Sequence, residues 1–91
     1  MAKGSGSAGR TFAGKSGLIK ARNLKPGDTI RERATSQSVG FTVREMRPAG
    51  PNLRRTGTTH TVVAQRGTGK NWYTASYNAS TGQIGRITRT G

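Results

Sequence analysis

Apolar and polar residues alternate through most of the chain after residue 27. In residues 38–47, for example, Val39, Phe41 and Val43 fall at every second position. A period of two is typical of a β-strand with one buried face. The alternation predicts five strands, at residues 28–35, 38–47, 58–66, 71–78 and 83–89.

The segments between these strands carry turn residues. GTGK (67–70) and ASTG (79–82) predict tight turns between consecutive strands. The longer segment 48–57 contains two prolines and two glycines, which predicts an irregular loop. Ile84 and Ile87 break the alternation, and a bulge between them would return both to the core.

Five short strands with few large apolar residues make a thin core. Closing such a sheet into a barrel buries one face and removes the open edges. We therefore predict an all-β fold, a small five-stranded antiparallel barrel over residues 24–91. An SH3-like barrel is favoured and an OB-like barrel is second, because no helix is predicted between the third and fourth strands.

Residues 1–23 differ in composition from the rest. They hold five basic residues, no acidic residue, and many Gly, Ser and Ala. Such a segment buries too little apolar surface to offset its ordering entropy. It is predicted to be a flexible basic N-terminal arm, with Leu18 and Ile19 forming at most a short turn or strand against the body.

The charge narrows the choice of partner. Lys and Arg number 16 against three acidic residues, which gives a net charge of +13. This exceeds what solubility requires and attracts polyanions. Eleven of the 16 are Arg, whose planar fork suits phosphate groups and guanine edges. Nucleic acid is the leading partner, with DNA favoured over RNA because an Arg-bearing arm can follow a groove.

The candidate binding residues follow from strand geometry. Arg31 and Arg33 are two apart and share a face, and Arg44 lies opposite Val43. The full set of candidates is Arg10, Lys15, Arg31, Arg33, Arg44, Arg47, Arg54, Arg55, Arg66, Lys70 and Trp72. The alternative is a basic surface that serves solvation without forming a site.

Trp72 has two possible positions. Alternation places Tyr73, Ala75 and Tyr77 on one face of the fourth predicted strand and Trp72 on the other. If Trp72 points outward, it can stack on unpaired bases. The alternative, which the dominance of aromatic residues in small cores favours, is that the barrel buries its single Trp.

The stretch GRTFAGKS (9–16) matches the phosphate-loop pattern with Gly9, Gly14, Lys15 and Ser16. A working phosphate loop follows a buried strand and opens a helix. The sequence predicts neither around this stretch, so nucleotide hydrolysis is not supported.

No other residues form a catalytic set. His60 is the only histidine, the three acidic residues are scattered, and there is no cysteine. A catalytic base needs an orienting partner, and a metal site needs more ligands. We predict no enzyme activity, no cofactor, no metal and no small-molecule substrate. Without a secretory signal or an apolar span, the chain is expected in the cytoplasm or in a virion.

A second class of function remains open. The same charge could steer the chain to an acidic protein partner. The alternative hypothesis is therefore a protein-interaction module, such as a phage or virion structural subunit or an inhibitor that docks an acidic protein.

Overall fold

The computed structural model of the chain describes residues 9–32, 40–67 and 69–90. Within these ranges lie the strands β1 (Thr11–Ala13), β2 (Ile19–Lys20), β3 (Thr29–Arg31), β4 (Phe41–Pro48), β5 (His60–Arg66), β6 (Trp72–Asn78), β7 (Gln83–Ile84) and β8 (Thr88–Thr90), and the helix α1 (Pro51–Arg55). The all-β prediction is confirmed. The count of five strands is not, because the predicted arm contributes β1 and β2 and the predicted fifth strand divides into β7 and β8.

All the strands belong to one sheet, in the order β1-β3-β4-β5-β6-β7-β2. From β3 to β7 each strand pairs antiparallel with the next in the chain, whereas β1 pairs parallel with β3. β8 pairs with β6 beside β7. The consecutive strands β1 and β2 stand at opposite ends of this order, so the sheet curls into a nearly closed barrel.

The predicted alternation holds in the long strands. Phe41 and Val43 of β4 point inward, as do Ala75 and Tyr77 of β6, and all four join the core cluster. The core is completed by Ile19, Ala21, Leu24, Ile30, Val62, Ala64 and Ile84. Full burial of an Ile or Val side chain stabilises a fold by about 1.5–3 kcal/mol, so this thin core depends on a small number of residues.

Residues 9–23, the described part of the predicted arm, belong to the barrel. Phe12 on β1 lies opposite Ile30 on β3, and Ile19 and Ala21 are buried in the core. Described residues on both sides of the predicted boundary at 23 and 24 therefore pair and pack together. The Gly-rich composition of the segment gave no indication of these strands. A short strand that closes a sheet needs only two or three apolar residues to pack against the core. Residues 1–8 lie outside the described residues.

Two buried polar groups fasten this N-terminal segment to the sheet. The fully buried Asp28 carboxylate accepts hydrogen bonds from the backbone N–H and Nη2 of Arg10, both at 3.2 Å, and from the Lys25 N–H at 3.0 Å. The Tyr77 hydroxyl donates to the Ala21 carbonyl and accepts from the Leu24 N–H at 3.3 Å. Buried hydrogen bonds of this kind favour one packing arrangement, and among the described residues the buried Arg10 Nε is left without a hydrogen-bond partner.

Two local predictions are corrected. Segment 48–57 contains α1 rather than only irregular loop, because Pro51 stands in the first turn, where its missing N–H costs nothing. Gly85 does not form a bulge within one strand. Instead β7 ends at Ile84, the Gly85 N–H bonds the Ser76 carbonyl at 2.8 Å, and Ile87 packs against the core before β8 begins.

Across residues 9–32, 40–67 and 69–90, the helical structure amounts to five residues, which is too short to cross a bilayer.

Candidate nucleic-acid interface

The barrel has two ends, which the register of β4, β5 and β6 defines. The hairpin end is formed by the β5–β6 turn and includes Gln65, Arg66, Lys70 and Trp72. The helix end includes α1, Arg47, His60 and Tyr77. Trp72 and Tyr77 are both on β6, and five residue steps at the rise of an extended strand separate the two ends by roughly 17 Å.

An outward row of side chains crosses the sheet at the hairpin end. Register places Thr42, Gln65, Trp72 and Thr90 side by side on β4, β5, β6 and β8. Trp72 therefore points outward, and 44% of its surface is exposed. Tyr73 points inward instead, with its ring edge-on to Phe41 at a centroid separation of 5.0 Å.

Arg44 lies beside this row. The β4–β5 register shifts between Val43 and Glu45, a bulge that places the exposed Arg44 against β5. Its Nε donates to Gln65 Oε1 at 2.9 Å. A guanidinium has five N–H donors, and this is the one hydrogen bond recorded for the side chain within the described residues. The remaining donors can bind a phosphate bidentately.

More cations lie at the hairpin end. Arg66 ends β5 and Lys70 precedes β6, and both are exposed. Arg89 lies opposite Tyr73 and donates from Nη2 to Asn71 Oδ1 at 3.2 Å. Arg31 ends β3, and its buried Nε has no hydrogen-bond partner among the residues that the structure describes. The structure thus brings five predicted residues to one end: Arg31, Arg44, Arg66, Lys70 and Trp72.

Three other predicted residues lie at the helix end. Arg47 Nε donates to Glu45 Oε2 at 2.8 Å, and this hydrogen bond, followed by the carboxylate charge, raises the pKa of Arg47 above its ordinary value. Arg54 Nε donates to the Ala49 carbonyl at 2.9 Å, and Arg55 is exposed on α1. They do not join the residues around Trp72.

The inward side of the helix end opens into a cavity of about 250 Å³. Met46, His60 and Tyr77 line it from the strands, together with Asn23, Leu24, Lys25 and Ala79. His60 Nδ1 hydrogen-bonds the Thr59 hydroxyl at 2.8 Å. Within residues 9–32, 40–67 and 69–90, no three His, Cys, Asp or Glu residues group closely enough to hold a metal ion.

Arg10 and Lys15, the predicted arm residues, have different surroundings. The Arg10 guanidinium bonds Asp28 and the Asn23 carbonyl and lies 4.8 Å from the centroid of the Phe12 ring. These contacts give Arg10 a structural role, because they hold the N-terminal segment against the sheet. Lys15 is exposed in the turn between β1 and β2. Arg33 lies outside the described residues.

The phosphate-loop letters form a strand and a turn. β1 is followed by the turn at 15–17 and then by β2, where a phosphate loop would open a helix. The Ser16 hydroxyl donates to Glu32 Oε2 at 2.7 Å.

Each of the three carboxylates has a partner. Asp28 is paired with Arg10, Glu32 accepts from Ser16, and Glu45 is paired with Arg47. None of them stands in the outward row with Trp72. The positive charge of Arg44, Arg66 and Lys70 therefore acts at the hairpin end without a neutralising ion pair among the described residues.

Sequence reasoning missed Gln65 and Thr42. Neither is charged or aromatic, so residue type alone gives no signal. The β5–β6 register identifies Gln65 as part of the site, because Gln65 is the residue directly opposite Trp72.

Comparisons with protein-family models, with curated proteins and with solved structures gave no match. The functional evidence therefore comes from this chain's own residues.

Proposed function

We propose that the chain is a small basic nucleic-acid-binding protein that holds the phosphate backbone with little sequence specificity, with DNA slightly favoured over RNA. One observation carries this proposal. Arg44 lies beside Trp72 on the outward face of the hairpin end, Arg66 and Lys70 flank the β5–β6 turn at the same end, and no ion pair within the described residues neutralises the three cations.

The net charge of +13 sets the physics of such binding. Each phosphate contact releases condensed counterions, so affinity falls linearly on a logarithmic salt scale. The slope is about 0.9 per contact for duplex DNA and about 0.7 for a single strand. Contacts of this kind position the chain on the nucleic acid but do not read its bases.

We also propose that the barrel is SH3-like rather than OB-like. The unbroken antiparallel run from β3 to β7 and the short β5–β6 turn support this choice. A protein of this kind would act where nucleic acid is accessible, in the cytoplasm or in a virion.

Titration of labelled duplex DNA, single-stranded DNA and RNA at several salt concentrations tests the function. Anisotropy should report binding whose logarithm falls linearly with the logarithm of salt concentration. Polyglutamate serves as the control polyanion. The proposal fails if all three nucleic acids are unbound near physiological salt, or if polyglutamate competes as well as nucleic acid does.

The exposed edge of β8 supports a second candidate, a protein-interaction module. β8 pairs with β6 on one side, and no described strand pairs with its other side. A free edge can accept a strand from a partner. Sedimentation without nucleic acid would show self-association if a second copy pairs there. A monomer at every concentration, with no capture by an acidic protein, would remove this candidate.

A further inference from the structure

We propose that the hairpin end binds single-stranded nucleic acid in preference to duplex, with one unpaired base stacked on the Trp72 ring and nearby phosphates held by Arg44, Arg66 and Lys70. This inference rests on the proposed function and names the form of nucleic acid that the site accepts.

The exposure of Trp72 is the first observation. Burying a Trp side chain removes about 150–250 Å² from water, yet this chain leaves its single Trp 44% exposed. Leu18 and Leu53 are exposed as well, and single exposed apolar residues are ordinary. Trp72 differs from both leucines because it offers an aromatic face and lies in a polar row bordered by Arg44.

The support beneath the ring is the second observation. Trp72 is on a strand paired on both sides, with Gln65 opposite it on β5 and Thr90 opposite it on β8. The Thr90 hydroxyl also donates to the Trp72 carbonyl at 3.1 Å. A platform on paired strands holds its geometry better than one on a loop.

The position of Arg44 is the third observation. Its hydrogen bond to Gln65 holds the guanidinium against β5, the strand that lies between β4 and β6. β4 and β6 are two strand spacings apart, roughly 10 Å. A flexible single strand that crosses the sheet can therefore contact both residues, one through a base and the other through a phosphate.

Base stacking requires an unpaired base. In a duplex each base face is covered by its neighbours, and extruding a base costs a few kcal/mol. Phosphate contacts alone do not make this distinction between forms. Stacking is also tolerant of sequence, because every base has a π-face, and this agrees with the low specificity of the proposed function.

The test uses the full chain with three labelled probes at one salt concentration: oligo-deoxythymidine, oligouridine and a DNA duplex of equal length. Both single strands should bind more tightly than the duplex, and only they should quench Trp72 fluorescence. Deoxythymidine and uridine strands test the same base face, so dependence on Trp72 in either supports the inference.

Variants sharpen the result. Removing a stacked aromatic costs about 1–3 kcal/mol per base, so Trp72→Ala should weaken single-strand binding by about 5- to 150-fold. Duplex affinity should stay within about twofold, because the phosphate contacts remain. Trp72→Phe should retain part of the single-strand affinity. Leu53→Ala, which removes an exposed apolar side chain at the helix end, is the matched control and should change neither affinity.

The outcomes separate this inference from the function beneath it. Equal affinity for duplex and single strand, or an equal effect of Trp72→Ala on both, overturns the stacking inference and leaves backbone binding intact. Binding to none of the probes defeats both proposals. If Trp72→Ala fails to fold by circular dichroism, Trp72→Phe decides, and it must then weaken single-strand binding more than duplex binding. Arg44→Gln is the comparison and should weaken both forms, because it removes a phosphate contact.

Discussion

Trp72 and Tyr77 lie five residues apart on β6, one at the hairpin end and the other at the helix end. Tyr77 is 3% exposed, and its hydroxyl bonds the Ala21 carbonyl and the Leu24 N–H. Trp72 is 44% exposed and faces outward. Strand alternation sends two aromatic residues to opposite faces, so one closes the barrel and the other is available to a ligand.

The cations at the two ends show the same difference. At the helix end, Arg47 is paired with Glu45 and Arg54 bonds the Ala49 carbonyl. At the hairpin end, Arg44 bonds a neutral Gln65, and Arg66 and Lys70 are exposed beside the turn. One of the three predicted arginines at the helix end is thus paired with a carboxylate, whereas none of Arg44, Arg66 and Lys70 is, within the described residues.

The largest expected effect comes from truncating Tyr77, compared with truncating Trp72 at the other end of β6. Tyr77→Ala should lower the free energy of unfolding by about 3–5 kcal/mol, because it leaves a cavity in a thin core. Trp72→Ala should change it by less than about 1 kcal/mol, as outward substitutions do. Urea denaturation measures both. Similar losses for the two variants would show that Trp72 also supports the fold.

A smaller loss is expected when the buried acid is removed. Asp28→Ala leaves Arg10 without its carboxylate, and breaking a fully buried pair costs about 3–5 kcal/mol. Arg10 is partly exposed, so the expected loss of unfolding free energy is lower, about 2–3 kcal/mol. Glu32→Gln is the control, since its carboxylate meets a single exposed hydroxyl. Equal effects of the two variants would contradict a structural role for Asp28.

Tyr77→Phe isolates the hydroxyl from the ring. It leaves the Leu24 N–H and the Ala21 carbonyl without their recorded side-chain partner, at a cost of about 1–3 kcal/mol. Tyr73→Phe is the matched control at the hairpin end, where the Tyr73 ring packs against Phe41. We expect a smaller change in the urea midpoint for Tyr73→Phe than for Tyr77→Phe. A larger change for Tyr73→Phe would contradict a stabilising role for the Tyr77 hydroxyl.

The smallest and most local effect concerns the salt slope of duplex binding. The double variant Arg66→Gln/Lys70→Gln should reduce the slope by about 1.8, since each lost phosphate contact contributes about 0.9. Arg54→Gln/Arg55→Gln should reduce it by less than about 0.9, because the helix end lies away from the hairpin end, where binding is proposed. Equal reductions would mean that nucleic acid follows the whole length of the barrel.

The long strands could be predicted from sequence, and the short ones could not. β4 and β6 show their period of two plainly, because each has buried residues at alternate positions. β1 and β2 together contain five residues in a Gly-rich segment. Their pairing with β3 and β7 is non-local, and no local pattern encodes it. The short helix α1 has no helical periodicity and shows only Pro51 as a start signal.

The candidate site was predictable in its charge but not in its geometry. Alternation separated Trp72 from Tyr77, yet period two does not say which face is inside. Register was needed to place Gln65 beside Trp72 and to separate Arg44 from Arg54 and Arg55. The ion pair between Arg10 and Asp28 could not be predicted from sequence either, because these residues are 18 positions apart and come together only in the folded barrel.

The pairing of β2 with β7 also affects how the chain is made. Ile19 pairs with Ile84, and most of the sequence lies between them. Ile19 is therefore synthesised long before its partner. Contacts so distant in sequence form slowly, because a large loop must close before they stabilise anything. Until β7 is synthesised, Ile19 lacks its partner strand and the Ala21 N–H lacks the Gly82 carbonyl to which it donates. The antiparallel run from β3 to β6 is the part that can assemble first. The barrel closes only when β7 pairs with β2.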